Sequence, residues 1–412
     1  MAWGSLLQAV HQPVPEMVCG MMDCDSLISA RARAIDVSGI RRVFELGASL
    51  TNPIDLSIGQ PDFAVPNPIK EAAIDAIRAD QNRYSLTQGR GDLRRVISEH
   101  LAGDVGWQVP SDDLELLVTS GTSGALLLAF MALMDPGDEA IVADPYFVIY
   151  PALGPLTGAS IVYCDTYPDF RMTAQCVEPL ITDRTKVLLL NSPSNPCGVV
   201  LRSTELRDLV GLCQQKGVLI VSDEIYDEFT YEDAREDGRC PSPARFTDRM
   251  LLVRGFGKSY GCTGWRLGYT AGPRSLIEQM SKLQQYTFVC APSMAQAGLV
   301  GAFDLDMSEH VRSYQRKRDM VEQAFSGVTE LAHPGGAFYV FAKIPARVGG
   351  CATDFVERAI QRNVLVIPGN VFSRRDTHFR LSYAASDATL QAGLQILAEL
   401  MTEPSSEAGP ST

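Results

Sequence analysis

Seven short apolar runs constrain this chain more than any other feature. They lie at 114–119, 140–143, 161–163, 187–191, 218–222, 250–253 and 267–271. Each has the length of a strand and lacks the polar alternation of a half-solvated one. Helical patterns at 124–134, 203–216 and 274–286 fall between them. Continuous apolar strands joined by helices predict an α/β fold with a mostly parallel seven-stranded sheet, covered by helices on both faces. After about residue 305 the pattern changes. A long charged helix at 307–325 leads to strand-like 337–344, helix 353–363, strands 364–367 and 378–383, and helix 387–401. This reads as a smaller α+β domain. The expected organisation is an arm (1–30), a linking part of the small domain (31–60), a large domain (61–305), the small domain (306–402) and a disordered polar tail (403–412).

Charge narrows the function. The net charge is -13 and no basic run occurs. Nucleic acids and anionic membrane surfaces are therefore poor partners. The cysteines are scattered from Cys19 to Cys351 without a C-x-x-C pair, and the histidines are dispersed. Neither a disulfide framework nor a metal site is expected. Reduced cysteines in a cytoplasmic protein are the simpler reading. Arg31 is the first basic residue, so no targeting segment is expected. The longest apolar stretch, 125–134, is too short to span a bilayer.

In an open parallel sheet, ligands sit beyond the carboxyl ends of the strands. The chemically suggestive residues fall there. Lys258 follows the run at 250–253, with glycines at 255, 257, 261 and 264 around it. Glycine permits close backbone approach, and a desolvated lysine beside a cation becomes nucleophilic. Such a lysine suits an imine to a carbonyl cofactor; an exposed turn lysine is the alternative. Ser120-Gly121-Thr122-Ser123-Gly124 links a strand to an apolar helix, where free amides can hold an anion. The plainer reading is a helix cap with Ser123 as N-cap. Asp223 ends an apolar strand, and a buried carboxylate needs a partner such as a protonated ring nitrogen. Tyr226, three residues on, could hold a ring hydroxyl. Asn195 sits in the turn Asn191-Ser-Pro-Ser-Asn195-Pro-Cys-Gly198, which is also ordinary turn chemistry. A P-loop reading of Gly257-Lys258-Ser259 fails, because Leu252 stands where the first glycine belongs.

From about Ile35 to Met401 the chain resembles the class I/II aminotransferases, pyridoxal-phosphate enzymes of fold type I. The resemblance rests on Asp55-Leu-Ser-Ile-Gly-Gln-Pro-Asp-Phe63, Tyr84 with 89–94, 191–198, 223–226, 258–269, Pro334-Gly-Gly-Ala-Phe-Tyr339 and Phe379-Arg-Leu-Ser-Tyr383. It implies that Lys258 links to the cofactor and shuttles the substrate proton. Asp223 would pair with the ring nitrogen, and Tyr226 and Asn195 would bond the ring oxygen. Arg266, Ser123 and the amides of Gly121 and Thr122 would bind the phosphate. Phe147 would stack on the ring. Arg380 would take the substrate α-carboxylate, with Gly59 and Asn195. Tyr84 would reach the phosphate of a partner subunit, which implies a homodimer with shared sites.

The chain departs from that pattern where many relatives carry serines, at Gly255 and Gly257, and Cys197 replaces a frequent threonine. Phosphate contacts are thereby in question. Cys197 and Cys262 are expected near the site, without a nucleophilic role. The implied activity moves the α-amino group of an L-amino acid to a 2-oxo acid, 2-oxoglutarate foremost, by a ping-pong mechanism. A C–S β-lyase and a regulator without turnover are the alternatives. The segment Tyr286-Thr-Phe-Val-Cys-Ala-Pro292 has no cation. A donor with a neutral or aromatic side chain is therefore expected over aspartate, unless Arg41 or Arg42 serves a distal carboxylate.

Overall fold

The computed structural model describes residues 23–37, 39, 43, 47 and 50–403. Arg41, Arg42, Cys19, most of the expected arm and residues 404–412 of the expected tail lie outside the described residues. Twelve strands are present among the described residues. They are β1 (Ile54–Asp55), β2 (Leu114–Thr119), β3 (Glu139–Asp144), β4 (Ser160–Asp165), β5 (Thr185–Asn191), β6 (Leu219–Asp223), β7 (Leu251–Gly255), β8 (Gly268–Pro273), β9 (Tyr339–Lys343), β10 (Val364–Leu365), β11 (Ile367–Pro368) and β12 (His378–Ser382).

Strands β2 to β8 form one sheet in the order β2-β8-β7-β6-β5-β3-β4. Only β8 runs against its neighbours. The seven apolar runs are these seven strands, so the predicted mostly parallel sheet is present. Apart from the edge strand β4, its strands are buried on both faces, which explains their uninterrupted apolarity. In β5, Val187 and Leu189 pack beneath the helix Gly121–Leu133 against Leu126, Ala129 and Phe130. Leu188 and Leu190 point the other way, toward Leu206 and Leu209 of the helix Ser203–Lys216. Each such fully buried aliphatic side chain contributes roughly 1.5–3 kcal/mol.

The smaller α+β part centres on the antiparallel sheet β11-β12-β9. The helices Ser308–Phe325, Ala352–Gln361 and Asp387–Thr402 accompany it. The run 364–367 was expected as one strand. It is instead two, because pairing changes at Val366: β10 joins β1, whereas β11 joins β12. An apolar run announces burial but not its partner. The β1–β10 pair ties the segment around residue 54 to the smaller part.

The sheet order reverses between β5 and β3. After β3 the chain steps outward to β4, then returns to the other side. A crevice beyond the strand ends results, as in other doubly wound sheets.

Candidate active site

The carboxyl ends of β2, β3, β5, β6 and β7 open on a cavity of about 290 Å³. Its wall includes Gly59, Gly121, Thr122, Ser123, Phe147, Asn195, Asp223, Tyr226, Lys258, Arg266 and Arg380. Of the residues given a catalytic, cofactor-binding or substrate-binding role from the sequence, Tyr84 alone is outside this wall. It is 84% exposed on the outer surface.

The helix Gly121–Leu133 starts earlier than a Ser123 cap would allow. Its N-cap is Ser120, and no side chain caps it. The first amides therefore lack a protein partner and face the cavity, at the positive end of the helix dipole. Gly121 has φ +70°, and a Cβ there would lie 2.8 Å from the Arg266 guanidinium. Arg266 is itself left-handed, with φ 50°. The cradle thus combines orphan amides, hydroxyls and a guanidinium, and no carboxylate among the described residues shares it. A Cβ at Gly255 would meet Ile225 Cδ1 at 2.8 Å and Thr122 Cγ2 at 3.1 Å. Those two side chains occupy the space that a serine there would need.

Lys258 lies in a single helical turn, Phe256–Ser259, directly after β7. Its Nζ donates to the Gly59 carbonyl and stands 5.8 Å from the ring centroids of Tyr226 and Phe338. The amine faces the cavity, and the side chain is part-buried. Burial, then the charges of Arg380 and Arg266, push its pKa down to about 7.

Asp223 is the last residue of β6 and is buried. It accepts from Tyr150 Oη at 3.0 Å and from the Ile225 amide at 3.3 Å. Burial pushes its carboxyl up to about 6; the Tyr150 hydrogen bond opposes this. Asn191 orders the floor beside it. Its Nδ2 donates to the Asp223 carbonyl at 2.9 Å, and its Oδ1 accepts from the Asn195 amide at 2.8 Å.

Arg380, in the middle of β12, is 1% exposed. Its guanidinium donates to Asn195 Oδ1 at 3.1 Å and to the Ser57 carbonyl at 2.8 Å, while Nε has no partner. Tyr339 lies 4.5 Å away on one side and Phe372 4.4 Å away on another. No carboxylate among the described residues pairs with it. Burying an unneutralised guanidinium costs several kcal/mol, so the position calls for an anionic ligand.

Tyr150, not named from the sequence, and Asn191 and Tyr339, quoted there within motifs without a role, also line the cavity. The run Asp144-Pro-Tyr-Phe-Val-Ile-Tyr150 did hold a signal, an aromatic one turn beyond Phe147. Cys197 and Cys262 are both buried and absent from the main cavity wall. Cys197 instead lines a cavity of about 30 Å³ behind Asn191 and Asn195. Burial raises the Cys197 thiol pKa and pushes that of Cys262 up to about 12. Both are poor nucleophiles.

Residues 51–397 match the family described as aminotransferase class I and II. The chain is a class I/II aminotransferase. It is 34% identical over 393 residues to the aspartate aminotransferase of Rhizobium meliloti, covering 89% of this chain and 94% of that protein. The aspartate aminotransferase of Thermus thermophilus with maleate superposes with a TM-score of 0.85 at 32% identity, covering 90% of this chain and 99% of that one. A protein from Methanococcus jannaschii superposes with a TM-score of 0.82 at 30% identity, covering 91% and 100%. That structure is described as similar in its active site to kynurenine aminotransferases.

This aminotransferase uses pyridoxal 5′-phosphate. The cavity fits that group: an uncapped helix start with a guanidinium suits a phosphate, and a buried carboxylate without a cation suits a ring nitrogen. When bound, the cofactor supplies a carbonyl for amines and an electron-withdrawing ring.

Proposed function

We propose that this aminotransferase moves the amino group of an L-amino acid with a neutral or aromatic side chain to a 2-oxo acid, 2-oxoglutarate foremost, in ping-pong fashion. The observation that carries the reading is Arg380. It is buried, has no carboxylate partner among the described residues and faces the same cavity as Lys258 and Arg266. Its fork suits a bidentate α-carboxylate. Asn195 then helps to orient the guanidinium, and Gly59 lies beside the bound carboxylate.

Lys258 is the nucleophile and afterwards moves the proton at the substrate α-carbon. Asp223 holds the ring nitrogen protonated. Tyr226 donates to the ring oxygen, assisted by Asn195. Phe147 covers one ring face. Gly121, Thr122, Ser123 and Arg266 hold the phosphate, with Tyr84 of a partner subunit completing it. Exposed large apolar side chains in two segments, joined by the Gln284 Nε2 hydrogen bond to the Thr87 carbonyl at 2.7 Å, support the homodimer. Tyr84, Leu86, Tyr286, Phe288 and Val289 are 84, 69, 83, 38 and 40% exposed. The seven-stranded and three-stranded sheets, each with its own principal core, support a large unit (61–305) and a small one (306–402), although Tyr226, Phe229 and Tyr231 of the large unit pack into the core of the small one. The nine described cysteines are free thiols, which supports a cytoplasmic location.

The neutral-donor reading is supported by the cavity wall, whose described cations are Lys258, Arg266 and Arg380. The kynurenine-type likeness of one neighbour agrees with it. A second reading, aspartate as donor, is favoured by the names of the Rhizobium and Thermus relatives. Comparing kcat/KM for aspartate, phenylalanine, tyrosine, leucine and alanine with 2-oxoglutarate decides between them. Phenylalanine or leucine should lead. A preference for aspartate above about tenfold, roughly 1.4 kcal/mol of discrimination, overturns the neutral-donor reading.

A further inference from the structure

Three chain-distant parts of the cavity meet at one side chain that has no role in the reading above. Tyr339 begins β9 and is 1% exposed. Its hydroxyl lies 3.0 Å from that of Tyr226. Its ring faces the Arg380 guanidinium at 4.5 Å. Its hydroxyl also presses on Gly59, where a Cβ would lie 2.8 Å away. Among the described residues, Tyr226 is its sole hydrogen-bond partner.

A phenol has one proton to give. If Tyr226 donates to the ring oxygen, its own oxygen becomes free to accept. The Tyr339 hydroxyl is the donor already in place. We propose that Tyr339 is a positioning residue with two functions: its hydroxyl donates to Tyr226 and strengthens that residue's bond to the cofactor ring oxygen, and its ring holds Arg380 for the substrate carboxylate. This rests on the roles proposed above for Tyr226 and Arg380. Chains of hydrogen bonds polarise one another in a low-dielectric site. The relay therefore favours negative charge on the ring oxygen, and the absorbance of the lysine-linked cofactor titrates at lower pH. The charged groups facing the pair are Lys258, Arg380 and Asp223, with Arg266 across the cavity. None of them is altered below.

The test is a spectrophotometric pH titration of purified holoenzyme, with steady-state kinetics alongside. Tyr339→Phe keeps the ring and loses the hydroxyl. Its titration midpoint should rise by about half a unit or more, with donor KM changed less than about threefold. Tyr339→Leu also loses the face on Arg380, so donor KM should rise about tenfold. Tyr226→Phe should raise the midpoint at least as far as Tyr339→Phe does. Adding Tyr339→Phe to Tyr226→Phe should then shift it no further, because the relay has already lost its second member. An unshifted midpoint in Tyr339→Phe, with a shifted one in Tyr226→Phe, overturns the relay and leaves the role of Tyr226 standing. An unshifted midpoint in Tyr226→Phe overturns that role, and the relay with it. Equal donor KM in the Phe and Leu variants overturns the Arg380 function.

Discussion

Lys258 illustrates how a residue's chemistry follows from its walls. An ordinary lysine amine is protonated until about pH 10.5. Here burial and two guanidiniums bring that down to about 7. The nucleophile is the neutral amine, so its fraction grows tenfold per unit below pH 7 and saturates above. The rate at which cofactor-free protein captures pyridoxal phosphate, followed by absorbance, should rise from pH 5.5 and level off near pH 8. A rate still climbing tenfold per unit at pH 9 would mean an ordinary, solvated lysine. In the role proposed for it, Asp223 carries the opposite requirement, because there the charged form would be the useful one. Burial lifts it to about 6, and Tyr150 opposes that lift. Tyr150→Phe should therefore raise it further. The acid limb of kcat/KM should move up by as much as about one unit, the worth of one hydrogen bond to a charged group. Activity at pH 6 should fall up to about fivefold, that at pH 7 up to about twofold, with recovery toward pH 8.5; an unchanged profile would remove Tyr150 from this role. The position of Lys258 beside the cavity was legible from its strand and glycines. Tyr150 was not, because its partner lies 73 residues away and only the folded sheet brings them together.

At the scale of elements, the strands of the seven-stranded sheet were legible because burial, on both faces in all but the edge strand β4, leaves few polar positions to confuse the reading. The sheet's carboxyl edge was legible for the same reason. The loops that shape the crevice were not. Asp62, three residues beyond Gly59, is held by Tyr314 Oη at 2.5 Å and Lys317 Nζ at 2.6 Å. Both sit on the helix Ser308–Phe325, more than 250 residues away, and no local pattern announces such a pairing. The turn that carries Asn195 is fixed in a similar way. Gly198 has φ +72°, and a Cβ there would lie 2.5 Å from the Tyr339 carbonyl oxygen and 2.6 Å from Pro334 Cβ. Backbone strain and overpacking each cost about 1–3 kcal/mol. Gly198→Ala should thus destabilise the protein by roughly 2–5 kcal/mol in urea unfolding. It should also raise donor KM, since Asn195 is a hydrogen-bond partner of Arg380. A stability loss under about 0.5 kcal/mol would show that the turn and β9 part easily.

The whole molecule raises the question of Tyr84. It is 84% exposed, outside the cavity formed by its own chain. Tyr286, 83% exposed, stands two residues before Phe288, whose ring would lie 3.7 Å from a Cβ at Gly124, at the start of the cradle helix. An apolar surface reaching the rim of the cradle is where a second copy could deliver a side chain. Each site of a dimer would then hold Lys258 and Arg266 from one chain and Tyr84 from the other. Co-expression of two crippled chains separates this arrangement from self-contained sites. Lys258→Ala with Tyr84→Ala should regain activity, because in a mixed dimer one site receives an intact Lys258 and an intact Tyr84. The recovery should reach up to roughly a quarter of wild type, since half the dimers are mixed and each repairs one of two sites. Lys258→Ala with Arg266→Ala should regain nothing, as every site then carries one lesion. Equal recovery in both pairings would mean that Lys258 and Arg266 serve different sites. No recovery in either, with mixed dimers verified by mass, would confine Tyr84 to its own chain.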